Sequence, residues 1–245
     1  MSQISQQMGF PIQAIHIPKT VDNDLPFTDN CPGFGSVAKY IAVSTKEASL
    51  DIASMCESST KVFILEVMGR HAGWIALWGG MAGAANVILL PEIAFTYEKV
   101  AEHLKRREAM GYTSSLVVVA EGAKNPEGHL ATVDDNRGGE VRLGGIGEQV
   151  AKKIGELTGK ETRSTTLGHI QRGGTPTPLD RILGIRFGVM AAQLAGEGKF
   201  GQMVSYHSYH VGSVPIKEAV EELRLVESDT EVVKAARAVG VCFGD

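Results

Sequence analysis

Cysteine is scarce. Cys31, Cys56 and Cys242 are the three in 245 residues. An odd number without metal-like spacing argues against a disulfide framework or a zinc site and suits a reducing compartment. Long apolar runs are also missing. A membrane helix needs about 18 apolar residues in a row, and the nearest approach, Trp74 to Leu90, is interrupted by glycines and Asn86. The start, MSQISQQMGF, has neither a basic nor an apolar signal region, so no secretory leader is expected there. Basic charge is not in excess: the formal net charge is −4, with no Lys/Arg stripe. Nucleic acid and membrane are therefore not expected partners, and a cytoplasmic location is. Several familiar motifs are absent: G-x-x-x-x-G-K-[ST], G-x-G-x-x-G and G-x-S-x-G. Gly159-Lys160 is followed by Glu161, which spoils a phosphate loop.

The remaining composition is that of an ordinary folded protein, 43% hydrophobic and 21% charged. The length allows one large or two modest domains. Strands are expected at Ile12–Ile17, Lys61–Val67, Asn86–Leu90, Ser115–Ala120, Thr162–Leu167 and Gln202–Tyr206. Helices are expected at Gly33–Ser58, His71–Ala84, Thr96–Met110, Ile146–Leu157, Pro178–Gly196, Ile216–Leu223 and Thr230–Val239. Thr177 is the candidate N-cap before Pro178, and Gly159 ends the helix before it. Glu121 to Gly145 lacks periodicity and reads as a long, mobile loop. Alternating strands and helices imply an α/β fold with parallel sheets covered on both faces.

In such sheets ligands bind beyond the carboxyl ends of strands. Four strand-end segments carry polar or glycine chemistry there: Lys19 to Asp24, Met68 to Arg70, Glu121 to Lys124, and His169 to Gly174. In the first, a carboxylate can take a proton from a hydroxyl and a lysine can face phosphate; alone, Asp22-Asn23-Asp24 also reads as a turn. Arg70 offers a forked grip on phosphate or carboxylate, or is simply a surface arginine. Glu121 suits sugar hydroxyls or a loop cap. His169 and Arg172 suit an anion, with Arg163 adding a cation near the same place. His207 and His210 read as strand and turn residues rather than a metal pair.

Taken in order, PKTVDND, EVMGRHAGW, AEGA and LGHIQRGGTP resemble the 6-phosphofructokinase family over nearly the whole chain. The resemblance implies two Rossmann-like parallel-sheet domains, the first incomplete. Residues 1–30 with 170–208 would be a remnant of the phosphate-donor domain. Residues 31–169 with 209–245 would be the fructose 6-phosphate domain. Asp22 matches the base acting on the sugar 1-hydroxyl, with Thr20 beside it. Met68, Gly69 and Arg70 match the segment at the acceptor and the transferred phosphate. Glu121 matches a sugar-binding carboxylate, and His169 and Arg172 match residues gripping fructose 6-phosphate. Arg163 matches an arginine lent to a neighbouring subunit, which implies a homodimer or homotetramer. A second lent position, often Arg in ATP-using members, is Lys61.

Lys19 stands where ATP-using bacterial members typically have Gly and diphosphate-using members have Lys. The resemblance thus implies diphosphate as donor, with an ATP-dependent enzyme as the alternative. Mg2+ is the implied cofactor, with Asp24 as a helper to it. The family's Gly-Gly-Asp phosphate-and-magnesium motif does not precede PKTVDND here, and about the first hundred residues of a typical member have no counterpart. The expectation is that this chain alone is nearly inactive. A non-catalytic sugar-phosphate-binding subunit is the remaining alternative.

Overall fold

A computed structural model describes residues 2–10, 12–55, 61–133 and 142–245. It divides into two units. One comprises 1–36 and 175–224; the other comprises 37–174 and 225–245.

The larger unit is built on a four-stranded parallel sheet, ordered β3-β4-β2-β7. Its strands are β2 (Lys61–Val67), β3 (Val87–Leu89), β4 (Ser114–Ala120) and β7 (Glu161–Thr166). Parity explains the continuous apolar runs VFIL, within KVFILEV, and LVVVA, within SLVVVA. Val62 and Ile64, Val87 and Leu89, and Val117 and Val119 share one face. They pack against α4 (Tyr97–Ala109) and α5 (Ile146–Thr158) through Val100, Leu104, Ile146, Val150 and Ile154. On the opposite parity, Ile88 and Val118 lie against Gly80 of α3 (Trp74–Ala82), so both faces are covered. Each such side chain contributes about 1.5–3 kcal/mol on burial.

The smaller unit has a three-stranded sheet of β1 (Ile15–His16), β8 (Gln202–His207) and β9 (His210–Pro215). β1 and β8 run parallel, and β9 returns antiparallel as a hairpin. Helix α6 (Pro178–Gly196) packs Leu183, Phe187 and Leu194 over Val204 and Ile15. Thr177 caps α6 by accepting the Asp180 N–H at 3.2 Å. Asp180 in turn accepts the N–H groups of Gly33 (3.0 Å) and Ser36 (2.7 Å) at the start of α2 (Phe34–Met55), and the Ser36 hydroxyl. One carboxylate thus serves two helix N-termini.

Most elements match the sequence reading; some shift for identifiable reasons. The helix expected from His71 starts at Trp74, because Glu92 accepts the Gly73 N–H at 2.9 Å and Gly73 becomes the cap. The first strand is two residues long. Strand β9 was not foreseen, since Gly212 and Pro215 obscure its alternation. It puts His210–Pro215 in the same unit as β8, and 209–224 group with that unit. The helix expected over Ile216–Leu223 is a single turn, α7 (Ile216–Ala219), and the last helix is α8 (Glu231–Ala238). The segment read as an unstructured loop contains a Lys124–Leu130 bridge and a two-stranded ribbon, β5 (Thr132–Val133) with β6 (Arg142–Leu143). A short helix, α1 (Ser2–Gln7), begins the chain. Residues 56–60, including Cys56 and the expected end of α2, lie outside the described residues, as do 134–141. Among the described residues no helix is long and apolar enough to cross a membrane.

Candidate active site

In the larger unit three segments leave the carboxyl ends of neighbouring strands β4, β2 and β7. They are Glu121-Gly122, Met68-Gly69-Arg70, and a 3-10 turn over Gly168–Arg172. Their backbones are joined. The Glu121 N–H donates to Val67 O at 2.8 Å and the Gly122 N–H to Gly69 O at 3.0 Å. The Leu167 N–H donates to Glu66 O at 3.1 Å. Gln171, 1% exposed, accepts the Met68 N–H at 3.1 Å and donates to Gly168 O at 2.8 Å.

Two glycines make this junction possible. Gly69 has φ +137°, and a Cβ there would meet Ala72 O at 3.0 Å. At Gly122 a Cβ would lie 2.0 Å from Arg70 O. Met68 is buried, whereas His169 and Arg172 are exposed. The structure therefore gathers Met68, Gly69, Arg70, Glu121, His169 and Arg172 at one end of one sheet. Arg163 does not join them. It opposes Phe63 in mid-strand, three extended residues or about 10 Å short of the strand end, and binds Glu161 at 3.0 Å. Lys61 begins β2, at the opposite end from Met68.

In the smaller unit the TVDND segment follows β1. Thr20 Oγ1 accepts the Asp22 N–H at 3.2 Å, a local turn. Asn23 is 2% exposed and left-handed at φ +56°, a conformation Asn tolerates. Its amide donates to Asp29 O at 3.2 Å and accepts the Cys31 N–H at 2.8 Å. Lys19 is exposed; Asp22 and Asp24 are half-buried. Burial pushes the Cys31 thiol up to about 12; the Asp24 and Asp22 carboxylates add to this and Arg224 opposes it. Asp29 binds His207 Nδ1 and the Ser208 N–H, both at 2.8 Å. Burial raises its pKa, but these bonds and the Arg224 charge outweigh that and hold the carboxyl below its usual range. His207 and His210 are cross-strand partners. Among the described residues no group of three or more His, Cys, Asp or Glu is placed to hold a metal.

Comparison of the sequence and of the fold with known proteins gives a family. A family model for Phosphofructokinase covers residues 1–195. The chain belongs to the phosphofructokinase family. It is 44% identical to the ATP-dependent 6-phosphofructokinase of Chloroflexus aggregans, over 98% of this chain and 64% of that protein. It is 46% identical to the pyrophosphate–fructose 6-phosphate 1-phosphotransferase of Amycolatopsis methanolica, over 88% of this chain and 62% of that one. The pyrophosphate-dependent phosphofructokinase structure from Marinobacter aquaeolei superposes with a TM-score of 0.79 at 39% identity, covering 95% of this chain and 59% of that one. The phosphofructokinase fold is thus present, and the chain spans about 64% of the length of the Chloroflexus relative.

Some residues around this strand end were not legible as such. Gln171, inside LGHIQRGGTP, holds the Met68 backbone. Gly122 gave no signal beyond its place in AEGA. Glu66, 1% exposed, accepts the N–H groups of Gly145 (3.1 Å) and Gly147 (2.8 Å) at the start of α5. The one carboxylate inside KVFILEV was the available hint.

Proposed function

We propose that this chain is part of an enzyme that transfers a phosphoryl group from inorganic diphosphate to the 1-hydroxyl of fructose 6-phosphate, giving fructose 1,6-bisphosphate. The observation that carries this is the clustering of Met68, Gly69, Arg70, Glu121, His169 and Arg172 at one strand end, in a chain that also holds the TVDND turn. His169 and Arg172 grip the sugar phosphate, and Glu121 accepts its hydroxyls. Arg70 neutralises charge on the transferred group. Asp22 takes the proton of the attacking hydroxyl, with Thr20 fixing its turn. Lys19 places a compact cation against the donor. Such transfer proceeds largely by positioning and charge neutralisation.

Magnesium commonly binds through one or two carboxylates together with substrate phosphates. Asp24 fits that role as a single carboxylate meeting an ion carried by the donor, where the ion would offset phosphate charge. In this reading Arg163 serves a neighbouring subunit, and the enzyme is a cytoplasmic homodimer or homotetramer. The Chloroflexus relative's name favours a second reading, with ATP as donor.

The test is a donor comparison on the full-length protein. Turnover with diphosphate and little with ATP is expected, and Lys19→Gly should lower diphosphate use. Preference for ATP, unchanged by Lys19→Gly, would overturn the donor assignment. Asp22→Ala should abolish turnover while fructose 6-phosphate still binds. If the unsubstituted protein binds fructose 6-phosphate but turns over neither donor, the chain serves as a binding subunit instead.

A further inference from the structure

The loop from Asp22 to Cys31 is fastened from two sides. Asn23 ties it from within, as described above. From without, Arg224 closes it. Its Nη1 donates to Thr28 O at 2.9 Å, and its Nη2 to Asn23 O at 3.0 Å and Asp29 O at 3.3 Å. Its backbone N–H donates to Asp24 O at 2.8 Å. Three side-chain-bound carbonyls from both limbs of the loop thus converge on one guanidinium. A planar guanidinium meets them together with donors spread in a rigid fork; a lysine ammonium has three donors but presents them from a single point. Two of the four accepting carbonyls belong to Asn23 and Asp24, the residues directly after Asp22.

We infer that Arg224 is a positioning residue that sets the Asp22 carboxylate by clamping the loop that follows it. The inference rests on the assignment of Asp22 as the base. Arg224 touches no reacting atom in this role; it acts through the backbone of residues 23, 24, 28 and 29. Cys31, fully buried where the loop ends, reports on the clamp. Held in place, its thiol is shielded and kept protonated by burial. Released, it becomes an ordinary labelling site.

The experiment uses Arg224→Lys and Arg224→Ala in the full-length protein, with three readouts. These are labelling of the Cys31 peptide by N-ethylmaleimide followed by mass spectrometry, thermal melting, and kcat and KM for fructose 6-phosphate. In Arg224→Lys, Cys31 labelling should rise at least about tenfold while the protein stays folded. kcat should fall about 10- to 100-fold, the range expected for a misplacement near 1 Å. KM should change by less than about twofold, since an interaction made only in the transition state is lost.

Unchanged labelling would overturn the clamp. A rise in KM with kcat intact would overturn its catalytic purpose. Failure of both variants to fold would make Arg224 a stability residue and overturn the inference too. Asp22→Asn separates this inference from the reading beneath it. Retained turnover in Asp22→Asn would sink the base assignment, whereas slow Cys31 labelling in Arg224→Lys would sink the clamp alone.

Discussion

Replacing Gly122 by alanine should damage stability and sugar-phosphate binding together. The added Cβ would lie 2.0 Å from Arg70 O, 2.6 Å from Arg70 C and 2.8 Å from Gly69 O. All three are backbone atoms, so no side-chain rotation relieves the clash. Reaching even a 3.0 Å contact requires the two segments to part by about 1 Å. Overpacking of this kind costs about 1–3 kcal/mol, and strain on the Gly122–Gly69 hydrogen bond adds about 1 kcal/mol. The sum is about 2–4 kcal/mol. At about 2–4 °C per kcal/mol for a chain of this size, the melting temperature should fall by roughly 5–15 °C. The same displacement moves the adjoining Glu121, which accepts the sugar hydroxyls in the proposed reading, so fructose 6-phosphate affinity should fall as well. Thermal melting by circular dichroism and calorimetric titration with fructose 6-phosphate measure the two effects. Gly184→Ala is the control. Nothing lies within 4 Å of its added Cβ, and mid-helix alanine should stabilise by about 0.5–1 kcal/mol. A Gly122→Ala protein that melts within about 2 °C of the parent and binds the sugar phosphate normally would refute the reasoning.

Glu66→Gln keeps an acceptor at the start of α5 but removes its charge. It should cost about 1–2 kcal/mol in a urea melt, and Glu66→Ala should cost more, because the Gly145 and Gly147 N–H groups lose their partner. Asp180→Ala leaves the Gly33 and Ser36 N–H groups unserved and should cost about 2–4 kcal/mol by the same measurement. Glu92 is shifted upward by burial, which its bonds from Val226 and Gly73 only partly offset. Between its ordinary value of 4.5 and its raised native value, the folded protein holds more protons than the unfolded chain. Stability from this group is therefore fully present below pH 4.5 and declines as pH rises through that window. Both N–H groups reach the same oxygen, Oε1, so Glu92→Gln should keep them and flatten this part of the stability–pH curve. An unchanged curve would contradict it.

The sequence was most legible where one short-range rule governs. KVFILEV and SLVVVA are buried strands because both faces are covered, and Thr96 and Thr177 cap helices through the residue three positions on. The strand-end segments were readable because polar and glycine residues interrupt apolar runs there. What escaped depends on distant partners. Asn23 and Arg224 are 201 residues apart, and no periodicity links them. Gly122 matters because Arg70 crosses it, which is a tertiary fact. β9 was hidden because an edge strand next to a turn tolerates Gly and Pro. Arg163 was read as a neighbour of His169, but an extended strand carries it away from the strand end.

The discontinuity of the smaller unit also sets an order of events during synthesis. Its two segments, 1–36 and 175–224, are separated by most of the larger unit. Among the described residues β1 pairs with β8, from Gln202 on, and the carbonyl of Asn23 waits a further 22 residues for Arg224. At about 5–20 residues per second, the TVDND turn emerges roughly 10–40 s before its last fastening. The larger unit's strands β2, β4 and β7 are all complete by Thr166, so its sheet can form first. The stretch bearing Asp22 thus leaves the ribosome well before the residues that fasten it and is among the last to acquire its native shape. A ribosome-stalled chain ending before Arg224 would carry that segment in the open, where proteases and chaperones can reach it.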